Sequence, residues 1–250
     1  MKKMSKELVR SDKEKESVRL NKYMSDAGFC SRREADHLIE SGKVLIDGKT
    51  AVLGQKVFPG QTVSVDGVIL HPTDELILLA FHKPVGIECT TDLKNPHNII
   101  DYIHYPERIY PIGRLDKNST GLILLTNTGD IVNKILKASN YHEKEYLVSV
   151  DKEIDEDFLI KMRSGVRIFL EDGQKEVVTR KCEVTRTGKK SFSIILTQGL
   201  NRQIRRMCEE LGYKVITLKR IRIMNIHLKG LKEGNYRQLT VEEIKELVKE

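Results

Sequence analysis

Apolar residues early in the chain fall at helical spacing. In RLNKYMSDAG, Leu20, Tyr23, Met24 and Ala27 form one stripe, and Gly28 supplies a C-terminal stop. SRRE follows, a capping box with Ser31 as N-cap and Glu34 at the third helical position. The helix it opens carries Ala35, Leu38 and Ile39 on one side and stops at Gly42. VLIDGKTAV and VSVDGVIL then alternate apolar and polar positions around Asp47-Gly48 and Asp66-Gly67, dipeptides suited to tight hairpin turns. The pattern predicts a module of two short helices and a few small strands over residues 18–75.

Beyond Pro72 strands and helices alternate. ELILLAF reads as a buried strand leading into HKPVGIECTT, and LILLT as a second, followed by a Gly-Asp turn and the helix DIVNKILKA. KEYLVSV and SFSIILTQG read as strands. NRQIRRMCEELG reads as a helix with Asn201 as cap, Ile204, Met207, Cys208 and Leu211 as core stripe and Gly212 as stop. TVEEIKELVKE forms a last helix behind a second capping box, Thr240 to Glu243. The expected fold class is α+β, with a larger domain over residues 76–250. Residues 1–17, mixed in charge and poor in large apolar side chains, are expected to be a disordered tail.

Composition narrows the partners. The 250 residues are 39% hydrophobic, enough for a sizeable core, and 43 Lys and Arg against 36 Asp and Glu leave a net charge of +7. Such an excess favours a polyanion, either nucleic acid or an anionic membrane surface. No apolar run approaches membrane-spanning length, and the lysine-rich start has no apolar segment behind it. No strongly amphipathic basic helix is evident, so no membrane partner is expected. Cys30, Cys89, Cys182 and Cys208 form no CxxC pair and the histidines are scattered. Neither a zinc site nor a disulfide framework is indicated, and a reducing cytoplasm is the expected compartment. GxGxxG and P-loop motifs are both missing, so no nucleotide cofactor is expected, and a monomer is expected because no dimer seam shows.

The chemistry concentrates in GRLDKNSTGLILLTNTGD, from Gly113 to Asp130. Asp116 stands between Arg114 and Lys117, with Gly113 and Gly121 on either side, at the mouth of an apolar run. Neighbouring cations should keep it ionised, with a pKa below the free reference of about 3.9. An ionised acid suits a nucleophile or an electrostatic partner rather than a general acid. A glycosidase would need a second carboxylate close by, and no spacing joins Asp92, Asp101 or Asp130 to Asp116. On the tripeptide RLD alone, a turn residue bonding its own backbone is the simpler account.

Cations also crowd two helix starts. Arg32 and Arg33 lie in one first turn, and Arg202, Arg205 and Arg206 in the first turns of another, where the helix dipole opposes positive charge by roughly 0.3–1 kcal/mol. Such ends can seat a phosphate. Solvated arginines, or pairs of Arg205 with Glu209 and Arg206 with Glu210 at ~0.2–0.5 kcal/mol each, are the plainer readings. Lys214, Lys219, Arg220 and Arg222 extend the basic stretch with few acids to neutralise it, as a surface for a nucleic-acid backbone would. Tyr146 shares a strand face with Val148 and Val150, an ordinary core position by alternation.

Resemblance to known families weighs on each of these choices. RLNKYMSDAGFCSRREADHLIESGKVLIDGK resembles the small RNA-binding module first recognised in a small-subunit ribosomal protein. YPIGRLDKNSTGLILLTNTGD, HEKEYLVSVDKEI and TQGLNRQIRRMCEELGYKVITLKRIRIMNI resemble the signature segments of pseudouridine synthases, in the branch that acts on ribosomal RNA. The resemblance implies a mixed, largely antiparallel sheet flanked by helices, and isomerisation of a flipped-out uridine to pseudouridine without cofactor or metal. It implies Asp116 as the catalytic residue, either nucleophile or base in an elimination, with Tyr146 as stacking platform and Arg205 as the partner of Asp116. RNA contacts implied in the module are Asn21, Lys22, Ser31, Arg32, Arg33 and Lys43. Those in the larger domain are Lys83, Arg114, Lys117, Asn201, Arg202 and Arg206. The implied substrate is large-subunit (23S) ribosomal RNA, with small-subunit RNA and tRNA as alternatives. A non-catalytic RNA-binding ribosome-assembly factor is the reading from another class. Relatives usually have Asn-Lys-Pro where this chain has His82-Lys83-Pro84, which implies altered local packing with activity kept.

Overall fold

The computed structural model describes residues 5–6, 16–136, 141–170 and 175–249. Two compact units divide the chain: the stretch up to Ile77 together with Tyr105–Ile109 and Thr126–Ile131, and the remainder.

In the first unit, strand β1 (Val18–Arg19) leads into helices α1 (Leu20–Asp26) and α2 (Arg32–Glu40). Strands β2 (Val44–Ile46), β3 (Lys49–Thr50), β4 (Lys56–Val57), β5 (Val63–Val65) and β6 (Val68–Ile69) follow. Leu20, Met24, Ala35 and Ile39 are buried from the helices against Val44, Ile46, Val63 and Val65 from the strands. Each large aliphatic side chain so buried stabilises the unit by about 1.5–3 kcal/mol. The expected capping box is present, with the Glu34 N–H donating to Ser31 Oγ at 3.2 Å and the Ser31 N–H to Glu34 Oε2 at 2.7 Å. The antiparallel order β3-β2-β5-β6 is made by two hairpins. Their turns fall on the expected dipeptides, with φ of +50° and +77° at Asp47-Gly48 and +47° and +84° at Asp66-Gly67. Left-handed geometry at both central residues is what a type I′ turn requires.

Most of the segment expected as a tail lies outside the described residues. Ser5 and Lys6, which are described, are held: Ser5 bridges Glu75, and buried Lys6 sends its Nζ to the Asp26 carbonyl at 3.1 Å.

The second unit contains β7 (Leu78–Lys83), β8 (Tyr110–Ile112), β9 (Thr120–Thr126) and β10 (Lys144–Val150). A separate hairpin of β11 (Arg167–Leu170) and β12 (Lys175–Val178) precedes β13 (Glu183–Gly188), β14 (Ser191–Leu196), β15 (Val215–Ile223), β16 (Ile226–His227) and β17 (Tyr236–Gln238). The large sheet runs β13-β14-β10-β15-β9-β7-β17, with β8 beside β9 and β16 beside β15. Strand β10 is antiparallel to β14 and β15, β13 to β14, β16 to β15 and β17 to β7. In contrast, β15 is parallel to β9, with Arg220 opposite Gly121. Strand β7 is buried at every position and β9 from Gly121 onward, which is why both read as unbroken apolar runs. The helices are α3 (Ile99–Ile103), α4 (Asp130–Leu136), α5 (Glu156–Ser164), α6 (Gln203–Glu210) and α7 (Val241–Leu247). The expected α+β class, with a mixed sheet flanked by helices, is what forms.

Among the elements that go beyond the sequence pattern, three bear on the larger unit's core and surface. Helix α5 is capped by Asp155, whose Oδ1 accepts from the Phe158 N–H at 2.7 Å, and Phe158 packs on Phe192 and Tyr213 with ring centroids 5.4 and 4.3 Å away. The hairpin β11–β12 is the second. The third is β15, read from sequence as a basic surface. Two bulges against β10 break its alternation, so Val215, Leu218, Arg220 and Ile223 are the buried positions. Arg220 points inward, and Arg222 is held by Glu143 at 3.0 Å and Glu145 at 2.9 Å, so neither joins the basic surface expected of this stretch. Helix α6 also starts later than expected. Arg202, at φ +50°, is its N-cap and caps nothing with its side chain, while Asn201 Oδ1 accepts from Arg206 Nη2 at 3.4 Å instead. The last two residues of DIVNKILKA lie outside the described residues.

Candidate active site

Asp116 sits in the loop between β8 and β9, and long-range contacts fasten that loop by its main chain. The Cys89 thiol donates to the Leu115 carbonyl and accepts from the Leu115 N–H, both at 3.3 Å. Lys83 is fully buried at the end of β7, and its Nζ donates to the carbonyls of Pro84 at 2.7 Å, Ile87 at 2.8 Å and Lys117 at 3.4 Å. Burial pushes the Lys83 ammonium down to a pKa of about 8. From α6, Arg205 Nη2 reaches the Asn118 carbonyl at 2.9 Å and Ser119 Oγ at 3.3 Å. Gly121 begins the apolar run because β9 and β15 meet there. A Cβ on Gly121 would lie 2.2 Å from the Arg220 carbonyl oxygen, and its φ is +114°. This accounts for one of the two glycines flanking the acid.

The loop opens on a cleft of about 790 Å³ lined by Asp116, Arg114, Tyr146, Lys144, Arg205, Arg220 and Leu218 among others. The Asp116 side chain is 34% exposed, and its carboxylate lies 3.9 Å from Nε of Arg205, a long ion pair with a side chain only 10% exposed. Burial and neighbouring Arg202 lower the Arg205 pKa, while Asp116 opposes them. Among the described residues Arg205 Nε has no hydrogen-bond partner, and the Asp116 carboxylate is the acid that faces it. Tyr146 is buried on β10, opposite Arg220 of β15, whose guanidinium carbon stands 6.0 Å from the ring centroid. Arg220 Nε donates to the Leu122 carbonyl at 2.6 Å. Burial, and then Arg220, lower the pKa of Lys144.

This arrangement favours one kind of chemistry. A carboxylate that faces a buried arginine from the wall of an open cleft is placed to attack carbon or accept a proton. Glu88 also lines the cleft, but Lys117 at 2.9 Å and Asn95 at 2.9 Å engage its carboxylate, and Lys117 holds its pKa below the usual range. It therefore makes a poor general acid for a two-carboxylate mechanism. No cluster of metal ligands occurs among the described residues.

The sequence-derived candidates separate sharply. Asp116, Tyr146 and Arg205 come together, as do Arg114, Lys117, Asn201 and Arg202 around the same cleft. Arg206 is drawn away to the Phe169 carbonyl. Among the described residues the pairs Arg205–Glu209 and Arg206–Glu210 do not form, because both guanidinium groups are occupied elsewhere. In the module, Arg32, Arg33 and Lys43 are exposed, Lys43 lying 3.9 Å from Asp66. Asn21 Nδ2 bonds Asp36 at 2.9 Å and Ser31 caps α2, so both have structural work. Two lysines need correcting as phosphate ligands. Lys22 is buried between Asp26 at 2.7 Å and Asp130 at 3.0 Å; burial opposes its charge, and the two acids more than restore it. Lys83 is spent on carbonyls, as described above. His82 is also buried, with Nδ1 2.8 Å from the Leu231 carbonyl oxygen, so it ties β7 to the loop before β17. Sequence reasoning missed Arg220, Lys144 and Cys89 as cleft residues; the apolar neighbours of Arg220 in LKRIRI were the available signal of a strand.

Residues 77–210 match the family described as RNA pseudouridylate synthase, and residues 18–63 match the S4 domain. The chain belongs to the RNA pseudouridylate synthase family: it is an enzyme that isomerises uridine to pseudouridine in RNA, with an S4 domain ahead of the catalytic fold. Among its relatives is the dual-specificity RNA pseudouridine synthase RluF of Escherichia coli (strain K12), 52% identical over 235 residues, 93% of this chain and 79% of that protein. Ribosomal large subunit pseudouridine synthase B of Bacillus subtilis (strain 168) is 38% identical over 235 residues, 92% of this chain and 95% of that one. A crystal structure of a pseudouridylate synthase matches with a TM-score of 0.66 at 28% identity, covering 92% of this chain and all of that one.

Proposed function

We propose that the substrate is ribosomal RNA, the large-subunit RNA in particular, and that Asp116 performs the isomerisation. The observation that carries the assignment of Asp116 is its partly exposed carboxylate, 3.9 Å from a buried arginine in a cleft it shares with Tyr146. Isomerisation breaks the bond from ribose C1′ to uracil N1, joins C1′ to C5, and releases the C5 proton while N1 gains one. Asp116 acts on the ribose or its proton, Tyr146 stacks on the flipped base, and Arg205 faces the acid and orients it. The substrate assignment draws on the relatives, one of which is named for the large ribosomal subunit. The enzyme works as a cytoplasmic monomer, with an RNA-binding module over 18–75 and a catalytic domain over 76–250. No helix among the described residues is long and apolar enough to cross a membrane.

The deciding experiment measures tritium released from RNA labelled at uracil C5. Unmodified large-subunit RNA, small-subunit RNA and tRNA are compared. Release from the large-subunit RNA is expected. Release confined to either of the others overturns the substrate assignment, and binding without release from any of the three overturns the whole reading.

Arg32, Arg33 and Lys43 on the module, and Arg114, Lys117 and Arg202 at the cleft, are the cations that take phosphates. RNA affinity therefore falls steeply between about 50 and 200 mM salt, and Arg32→Ala lowers the slope of log K against log salt by about 1. Fluorescence anisotropy across a salt series reads both, and an unchanged slope removes Arg32 from the interface.

A further inference from the structure

We propose that Tyr141 and Arg180 form a stacking site, beside the cleft, for the unpaired base of a nucleotide adjoining the flipped uridine. The inference rests on the reading of the cleft as a uridine site. Tyr141 is 60% exposed and has φ +52°, a left-handed backbone that bulky residues seldom adopt. Such strain persists where surrounding structure enforces it, and it concentrates at ligand sites. The guanidinium carbon of Arg180 lies 4.5 Å over the Tyr141 ring centroid, which leaves much of the ring to solvent.

Both residues are fixed to the wall of the cleft. His142, the next residue, lines the cleft and sets its Nδ1 2.8 Å from the Ile135 carbonyl oxygen. The His142 carbonyl accepts from Lys144 Nζ at 3.2 Å, and the Glu143 carbonyl from the Met224 N–H at 2.9 Å. On the other side, the Arg180 N–H donates to Oε1 of Gln198 at 3.0 Å, and Gln198 also lines the cleft. An aromatic face and a guanidinium plane thus stand together at the margin on anchored backbone. These are the two side-chain surfaces on which unstacked RNA bases settle. Extruding a uridine strips its neighbours of one stacking partner, so a base that needs a new surface is at hand. A base fits better than a phosphate, because the exposed group is the ring, with the cation lying across it.

The test is a cycle between protein and RNA, read by tritium release. RNA carrying an abasic nucleotide immediately 5′ or 3′ of the modified uridine is compared with intact RNA, using wild type, Tyr141→Ala and Tyr141→Trp. Tyr141→Ala is expected to raise KM about 5- to 150-fold, the factor equivalent to stacking one base, with the loss falling on KM rather than kcat. Tyr141→Trp restores most of it. One of the two abasic RNAs raises the wild-type KM similarly and raises that of Tyr141→Ala no further. A KM for Tyr141→Ala within twofold of wild type, a loss confined to kcat, or independent losses at both flanking positions overturns the site. Failure of the uridine reading would appear differently, as no tritium release from wild type on intact RNA.

Discussion

Asp116→Ala abolishes tritium release from C5-labelled RNA, lowering turnover by at least about 10²-fold, and leaves RNA affinity equal or higher. The size follows from removing a group positioned for acid–base or nucleophilic chemistry, which typically contributes 10²–10⁴-fold. The retained affinity follows from electrostatics, since an anion among cations repels phosphate. The variant should fold. The loop is gripped through the Leu115, Lys117 and Asn118 carbonyls, and among the described residues the Asp116 carboxylate forms no ion pair closer than the 3.9 Å one to Arg205. Arg205 keeps its bonds to Asn118 and Ser119 when the acid is gone, so it is not stranded. Thermal melts within a few degrees of wild type, together with lost turnover, isolate the chemistry. Turnover within tenfold of wild type would place the reaction on another residue.

Gly121→Ala is the substitution expected to damage the fold most. Its Cβ would fall 2.2 Å from the Arg220 carbonyl oxygen and 2.6 Å from the Arg220 nitrogen, both main-chain atoms that no rotamer change can move. A φ of +114° adds conformational strain. Relief requires β9 and β15 to part at the parallel ladder beside the cleft, at a cost of about 3 kcal/mol or more. Gly230→Ala is the control. That glycine is also left-handed, at φ +80°, with nothing within 4 Å of the position its Cβ would take, so only strain of about 1–2 kcal/mol applies. Urea melts of the two variants separate steric clash from strain, and equal losses would show that the close approach at Gly121 costs nothing.

The sequence carried what depends on neighbours in the chain. Ser31 with Glu34 and Thr240 with Glu243 are capping boxes whose members are three residues apart, and Asp47-Gly48 and Asp66-Gly67 carry their turn preference in two residues. Position alone was harder to read for charged side chains. Lys22 and Lys83 resemble any phosphate-binding lysine in one dimension, yet Asp130 and the carbonyl of Lys117 meet them from far along the chain. Arg220 was hidden for a related reason, since bulges in the β10–β15 ladder erase the alternation that would have marked it as inward. For Tyr146, core position and cleft position proved to be the same place: it is buried, and it lines the wall.

The way the loop around Asp116 is held has an evolutionary consequence. Cys89, Lys83 and Arg205 grip peptide groups of Leu115, Lys117 and Asn118, and peptide groups are common to every residue except proline in their N–H and to all residues in their carbonyl. Lys117 and Asn118, whose side chains are exposed, can therefore change without loosening these fastenings. Substitution at these two rim positions therefore leaves the Asp116 carboxylate in an unaltered pose.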